Sequence, residues 1–229
     1  MSRTVAIVED EPDLRANYLQ ALQRYGYVVA GYADRASAMN AFALRLPDLV
    51  LIDVGLGDEP EGGFELCRHL RARSSSLPIL FLTARDSDLA VISGLRLGAD
   101  DYLSKTVSMA QLTARVAALF RRLEALQQPA AKESVVSLRA LRLEVERMRV
   151  TWQEQEVPLT LTEFWMVHAL VRHPGHVRSR DQLMRESEIV VDDATITSHI
   201  KRIRRKFEAI DAAFDEIDTV HGAGYRWRP

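Results

Sequence analysis

Residues 4–122 alternate short apolar runs with segments of helical period, and this alternation constrains the chain more than any other feature. The runs Val5–Val8, Val28–Gly31, Leu49–Ile52, Ile79–Leu82 and Tyr102–Leu103 are too short for helices. Uninterrupted apolar runs of this length suit strands that are covered on both faces. Helical segments are expected between them at 13–25, 35–45, 64–72, 87–97 and 108–122. The last carries Leu112, Val116, Leu119 and Leu123 along one stripe. Five such strand-helix units predict an α/β fold, a five-stranded doubly wound parallel sheet with helices on both faces.

The pattern stops near residue 123. "EALQQPAAKES", Glu124 to Ser134, is polar, Ala/Gln-rich and built around Pro129, and reads as a linker over 124–134. Residues 135–158 then look like short alternating strands, with "LRLEV" and "MRVTW" closing near Val157. Three helices are expected next. Thr160 with Glu163 and Ser179 with Gln182 have capping-box spacing, and Asp192–Asp193 can cap a third helix running to about Glu208. "IDTVHGAGYRWR" closes the chain with a hairpin signal around Gly222 and Gly224. Strands, three helices and a hairpin are the order of an α+β winged helix-turn-helix domain. The expected division is therefore 1–123, a linker at 124–134, and 135–229.

In an open parallel sheet, functional groups collect beyond the carboxyl ends of the strands, where strand order reverses. Here the first strand runs into Glu9, Asp10 and Glu11, the third into Asp53, the fourth into Thr83, and the fifth towards Lys105. Carboxylates gathered on one rim repel unless a cation sits among them. Mg²⁺, which takes one or two carboxylates plus phosphate and water, suits such a set. Aspartate is also a nucleophile towards phosphoryl groups, with Lys105 and Thr83 placed to meet phosphoryl oxygens. Any one of these acids alone is better explained as a helix or loop cap. The convergence of four strand ends favours the site.

Global charge does not argue for nucleic acid. Residues 1–125 carry 14 basic and 16 acidic side chains, and residues 126–229 carry 16 of each. The charge is instead concentrated in "KRIRRK", Lys201 to Lys206, with no acid between Thr195 and Phe207 to pair along the helix. Ile196, Ile200, Ile203 and Phe207 mark its buried stripe. At 3.6 residues per turn, Ser198, Lys201, Arg202 and Arg205 then point most directly away from it. Thr195, His199 and Lys206 take one flank, and Thr197 and Arg204 the other. Such a helix fits a major groove, with phosphates supplying most of the affinity.

Several classes are disfavoured. No apolar run approaches the ~20 residues of a membrane helix, and the N-terminus lacks the pattern of a signal peptide, so a cytoplasmic protein without membrane association is expected. One cysteine, Cys67, leaves no intramolecular disulfide, and the six histidines show no tight metal spacing.

"IVEDEPDLR", "LVLIDVGL", "LFLTARD" and "GADDYLSK" resemble the signatures of a two-component response-regulator receiver, a CheY-like fold. "LTLTEF", "HPGHVRSRDQL", "TITSHIKRIRRK" and "TVHGAGYRW" resemble the OmpR/PhoB-type DNA-binding domain. A narrower similarity is to regulators accompanying proteobacterial dedicated sortase systems. The resemblance implies a phosphorylation-switched transcription regulator, not an enzyme, with a sensor histidine kinase, double-stranded DNA, RNA polymerase and a second copy of the chain as partners. It makes Asp53 the phosphoacceptor, and Glu9, Asp10, Asp53 and the Gly55 carbonyl the Mg²⁺ ligands. Thr83 and Tyr102 become the switch pair, and Lys105 the phosphate-binding lysine. On DNA it implies Thr195, Thr197, Ser198, His199, Lys201, Arg202, Arg204, Arg205, His221 and Tyr225, with Arg202 reading bases. Between protomers it implies Asp101 with Arg115 and Asp100 with Arg122.

Two departures stand out. The family usually follows the lysine with a cis-proline; here Thr106 stands there, and a non-proline cis bond costs ~3 kcal/mol. The loop "GLGDEPEGG" after Asp53 is about two residues longer than the family's and more acidic. These departures motivate an alternative, a regulator that binds DNA without phosphorylation. A phosphotransferase using an aspartyl phosphate is the weaker alternative, because the second acid such enzymes need two residues after the nucleophile is here Gly55.

Overall fold

Strands whose side chains are buried on both faces can only lie in the middle of a layered domain, and the first half is built in this way. The computed structural model describes residues 2–84, 97–125, 135–186 and 193–229. In it β1 (Thr4–Val8), β2 (Val28–Tyr32), β3 (Leu49–Ile52), β4 (Ile79–Thr83) and β5 (Asp101–Ser104) form one parallel sheet in the order β2-β1-β3-β4-β5. All four residues of β3 are fully buried. The chain steps from β1 outward to β2, then returns to lay β3 on the other side of β1, with Val5 opposite Leu49 and Val8 opposite Ile52. Strand order therefore reverses between β1 and β3, and the residues following those strands share one crevice.

The helices are α1 (Pro12–Arg24), α2 (Arg35–Leu44), α3 (Gly62–Arg73) and α4 (Met109–Ala125). Pro12 opens α1, where its fixed φ suits a first turn and its missing N–H is not needed. Asp34 caps α2 by accepting the Ser37 N–H at 2.7 Å. Phe42, Phe64, Leu70 and Phe81 fill one face of the sheet, with Phe64 edge-on to Phe81 at 5.3 Å. The expected helix at 87–97 lies, except for Leu97, outside the described residues, as do linker residues 126–134. The helix expected to end at 122 continues through Ala125, because no glycine or proline follows until Pro129.

The chain divides into two compact units, 1–117 and 118–229. The second contains an antiparallel sheet in the order β6 (Val135–Leu138), β7 (Leu141–Glu144), β8 (Arg149–Trp152), β9 (Gln155–Glu156). Helices α5 (Leu161–Val171), α6 (Arg180–Glu186) and α7 (Asp193–Glu208) follow, then the hairpin β10 (Ile217–Val220) and β11 (Gly224–Trp227). Both expected capping boxes form. Thr160 and Glu163 close the start of α5, and Ser179 and Gln182 exchange hydrogen bonds of 2.9 and 3.1 Å before α6. Trp152, Phe207, Phe214 and Trp227 pack together, Phe207 stacking on Phe214 at 4.5 Å, and thereby join sheet, helix and hairpin.

At the start of α3, Gly63 donates its N–H to the Val54 carbonyl at 2.9 Å. A Cβ there would lie 1.9 Å from the Asp53 carbonyl oxygen. Gly63→Ala should therefore lower stability by about 1–3 kcal/mol, the usual range for forcing volume into a packed place. Urea unfolding followed by far-ultraviolet circular dichroism of the full chain measures it.

Candidate functional site

Every strand of a parallel sheet ends on the same edge as its neighbours, so the residues that follow β1, β3 and β5 meet. Glu9, Asp10 and Asp53 each offer one carboxylate oxygen within 4.8 Å of the other two. Lys105, which follows β5, extends its ammonium into the group: Nζ lies 2.7 Å from Glu9 Oε1, 2.8 Å from Asp53 Oδ2 and 3.2 Å from Glu11 Oε1. The Val54 N–H donates to Asp53 Oδ1 at 2.6 Å. Arg15 on α1 donates to the main-chain carbonyls of Glu9 and Asp10 and so secures the turn that carries both acids.

Burial pushes the pKa of both Glu9 and Asp53 up. The Lys105 hydrogen bonds pull them back, while Asp53 raises Glu9 further and Asp10 raises Asp53 further. Burial also works against the charge on Lys105, but its bonds to Asp53 and Glu9 outweigh it and hold the ammonium above its ordinary value. One ammonium cannot balance Glu9, Asp10, Glu11 and Asp53. Glu9 Oε2 is buried without a hydrogen-bond partner among the described residues. An unpartnered buried carboxylate oxygen beside two more carboxylates fits a hard divalent cation.

Lys105 reaches Asp53 although every peptide bond among the described residues is trans. The Ser104 and Thr106 hydroxyls lie 2.9 Å apart and the Val107 N–H donates to the Ser104 carbonyl at 3.0 Å, so a tight turn aims the lysine without proline. Thr83 ends β4 on the same edge, opposite Ser104 in β5; its side chain lies outside what the structure describes. Tyr102 is half-buried and packs on the core, its ring 6.1 Å from that of Phe81.

The residues expected at a dimer interface are engaged within the chain. Asp100 is fully buried, pairs with Arg71 at 2.7 Å and accepts the Ile79 N–H at 3.0 Å. Arg122, also buried, donates to Thr162 Oγ1 at 3.0 Å inside the second unit. A carboxylate this deep needs a guanidinium close by, and within the chain Arg71 supplies it. Asp101 pairs with Arg115 of its own chain at 3.2 Å.

In the second unit α7 presents Thr197, Lys201 and Arg205 to solvent, with Ser198 and Arg204 half-exposed. His221 stands exposed at the hairpin turn. Thr195, His199, Arg202 and Tyr225, which the sequence places at a DNA surface, are buried within the chain. Their burial has a physical cause. Glu163 is fully buried because it caps α5, and it draws Arg202 and Lys206 inward; Lys206 Nζ lies 2.6 Å from Glu163 Oε2, and Arg202 Nε pairs with Oε1. Burial alone would raise the Glu163 pKa, but the two cations bring it down to about 2. His199 accepts from Arg202 at 3.2 Å, and burial together with that guanidinium lowers its pKa to about 3; burial and Arg172 lower that of His168 to about 4. Arg204 is tied to the hairpin, donating to the Ile217 carbonyl at 2.6 Å and to Thr219 Oγ1 at 2.9 Å. The Tyr225 ring lies beneath Arg180 and Arg204, and its hydroxyl is 3.2 Å from Thr197 Oγ1.

Comparison with known proteins agrees with both units. The family described as "Response regulator receiver domain" matches residues 5–117, and "Transcriptional regulatory protein, C terminal" matches residues 154–227. Transcriptional regulatory protein CreB of Escherichia coli K12 is 36% identical over 228 residues, 98% of this chain and 97% of its own. Phosphate regulon transcriptional regulatory protein PhoB of the same strain is 34% identical over 234 residues, 99% of this chain and 98% of its own. The response regulator DrrB, a Thermotoga maritima OmpR/PhoB homolog, is similar in structure with a TM-score of 0.53 at 25% identity, over 100% of both chains. A receiver followed by a DNA-binding domain defines a transcriptional response regulator. The chain belongs to the OmpR/PhoB family of two-component response regulators. Its relatives are transcriptional regulators, its receiver belongs to a Mg²⁺-binding family, and phosphorylation and dimerisation are typical of that family. The two domains imply a histidine kinase and DNA as partners. No helix among the described residues is long and apolar enough to cross a membrane.

Sequence reasoning missed Arg15, Arg71 and the inward role of Glu163. Only the capping-box spacing signalled Glu163, and that signal says nothing about α7.

His199 and Glu163 both bind fewer protons folded than unfolded, His199 between its ordinary 6.5 and about 3, Glu163 between 4.5 and about 2. Stability therefore rises with pH through both windows and is lost on acidification, first through His199. All three tryptophans, Trp152, Trp165 and Trp227, lie in this unit and report its unfolding. The urea midpoint should fall from pH 7 to pH 5 in the native chain and fall less in His199→Gln, where only His168, whose pKa burial lowers to about 4, still takes up a proton on unfolding.

Proposed function

We propose that Asp53 accepts a phosphoryl group from a histidine kinase and that this switches a DNA-binding dimer. The convergence of Asp53, Glu9, Asp10 and Lys105 from three strand ends carries this reading. An Asp53 oxygen forms a bond to phosphorus as the donor's P–N bond breaks, and the donor imidazole leaves with the electron pair. The negative charge added at Asp53 then attracts the Lys105 ammonium, already 2.8 Å from that carboxylate. Thr83 stands at the end of β4 to donate a hydrogen bond to a phosphoryl oxygen, and Tyr102 follows it. Glu9, Asp10, Asp53 and the Gly55 carbonyl would hold Mg²⁺, which supplies positive charge against the phosphoryl oxygens. Gly55, where an aspartyl-phosphate hydrolase needs its second acid, supports a switch over an enzyme. The reach of Lys105 across a trans bond supports phosphorylation over a phosphorylation-independent regulator.

The DNA surface consists of Thr197, Ser198, Lys201 and Arg205 on α7, with His221 at the hairpin turn. Arg202 and His199 hold α7 to α5 from within, and Arg204 and Tyr225 hold it to the hairpin. Dimerisation through the receiver uses Asp101 and Arg115, re-partnered between protomers, and leaves Asp100 with Arg71. RNA polymerase is a further partner, through the surface between α6 and α7, most of which lies outside the described residues.

Incubation with Mg²⁺ and a small phosphodonor should add one phosphoryl mass to the native chain and none to Asp53→Asn. An equal gain in the variant would sink the assignment. On DNA, Lys201→Ala should weaken binding to all sequences and reduce the salt slope by about 1. Arg202→Ala should lower the unfolding midpoint of the second unit; unchanged stability with relaxed sequence preference would return Arg202 to the groove.

A further inference from the structure

The loop that leaves β3 is longer than the family pattern, and it is built as a closed turn. Leu56 and Glu59 exchange backbone hydrogen bonds of 3.0 and 3.1 Å, with Gly57 at φ +60, a conformation that costs glycine little. The Glu59 carboxylate then takes both arms of Arg35 at the start of α2, Nε at 2.5 Å and the second nitrogen at 3.1 Å. Gly62 leaves room for this. A Cβ there would meet Glu59 Oε2 at 2.8 Å. The turn so held directs the Gly57 N–H at Asp10 Oδ2, 3.1 Å away.

Asp10 differs from the other two acids of the cluster in its partner. Lys105 holds Glu9 and Asp53, whereas the inserted turn holds Asp10. A hydrogen bond to one carboxylate oxygen fixes the rotor and leaves the other oxygen to face a cation, which is how outer partners tune a metal ligand. The Arg35 and Glu59 side chains are about one third and one half exposed, so as an ion pair they contribute little to stability. Their effect is geometric, because a two-pronged fork admits one orientation.

We propose that the Leu56–Glu59 turn, latched to α2 by Arg35, positions Asp10, and that Arg35 and Glu59 are positioning residues setting the receiver's affinity for its divalent cation. This rests on the reading of Glu9, Asp10 and Asp53 as metal ligands. The loop departure is thereby a working part of the site.

The sign of one substitution separates the latch from simple electrostatics. Arg35→Ala removes a positive charge near the acids, so charge alone would tighten cation binding. Loss of the latch weakens it, by about tenfold at the low end of what losing an outer partner costs a metal site. Calorimetric titration of the full chain with Mg²⁺, and with Mn²⁺ as a second probe, reads the affinity. Exchange of the Gly57 amide proton, followed by nuclear magnetic resonance without metal, reads the turn itself. Arg35→Ala should bind both ions more weakly and exchange Gly57 faster, and exchanging the pair, Arg35→Glu with Glu59→Arg, should recover both. Equal or tighter Mg²⁺ binding in Arg35→Ala, or unchanged Gly57 exchange, overturns the latch. No Mg²⁺ binding by the native chain, or undiminished binding in Asp10→Asn, overturns instead the metal reading beneath it.

Discussion

The Lys105 ammonium sits between two carboxylates at the edge of a parallel sheet, 2.7 Å from Glu9 and 2.8 Å from Asp53. The arrangement of the receiver follows from the need to compensate those acids. A carboxylate at a strand end loses much of its hydration and must find positive charge or protons. Parallel strands bring their acids to one edge, so the problem becomes collective, and a single lysine from β5 meets it only in part. The unmet remainder shows in Glu9 Oε2, buried without a hydrogen-bond partner among the described residues, and it is what the proposed cation would compensate.

The second unit meets the same problem with the opposite outcome. Glu163 is buried more completely than Asp53, yet Arg202, Lys206 and the Thr160 N–H satisfy it, and its pKa falls to about 2. A fully compensated carboxylate has no affinity left for a ligand, so Glu163 serves architecture: it joins the start of α5 to the length of α7. Excess negative charge in one unit and complete pairing in the other separate a site from a staple.

How legible each part was depended on the range of the interaction involved. Asp53 could be found because an acid directly after a four-residue apolar strand is a local pattern, and the capping boxes at Thr160 and Ser179 span three residues. The face of α7 was legible only in part. Helical period identifies the stripe Ile196, Ile200, Ile203, but it cannot say which flank turns towards a neighbouring helix. Arg202 and His199 were expected to face DNA; the bonds of Arg202 to Glu163, 39 residues away, and of His199 to Arg202 have no local signature. Arg71 with Asp100, and Arg35 with Glu59, are likewise partnerships across 29 and 24 residues without a local signature.

By itself the sequence determined the element order, the parallel sheet and its reversal point, the acids on its rim, and the basic character of α7. Periodicity and burial dictate these, and both are written in neighbouring residues. Tertiary structure alone decided which charges meet: that Arg202 pairs with Glu163 and Asp100 with Arg71, that Lys105 reaches Asp53 across a trans bond, and that the acidic loop after Asp53 folds back to place an amide against Asp10. An ion pair forms where desolvated groups of opposite charge meet, and only the packed chain fixes those meeting points.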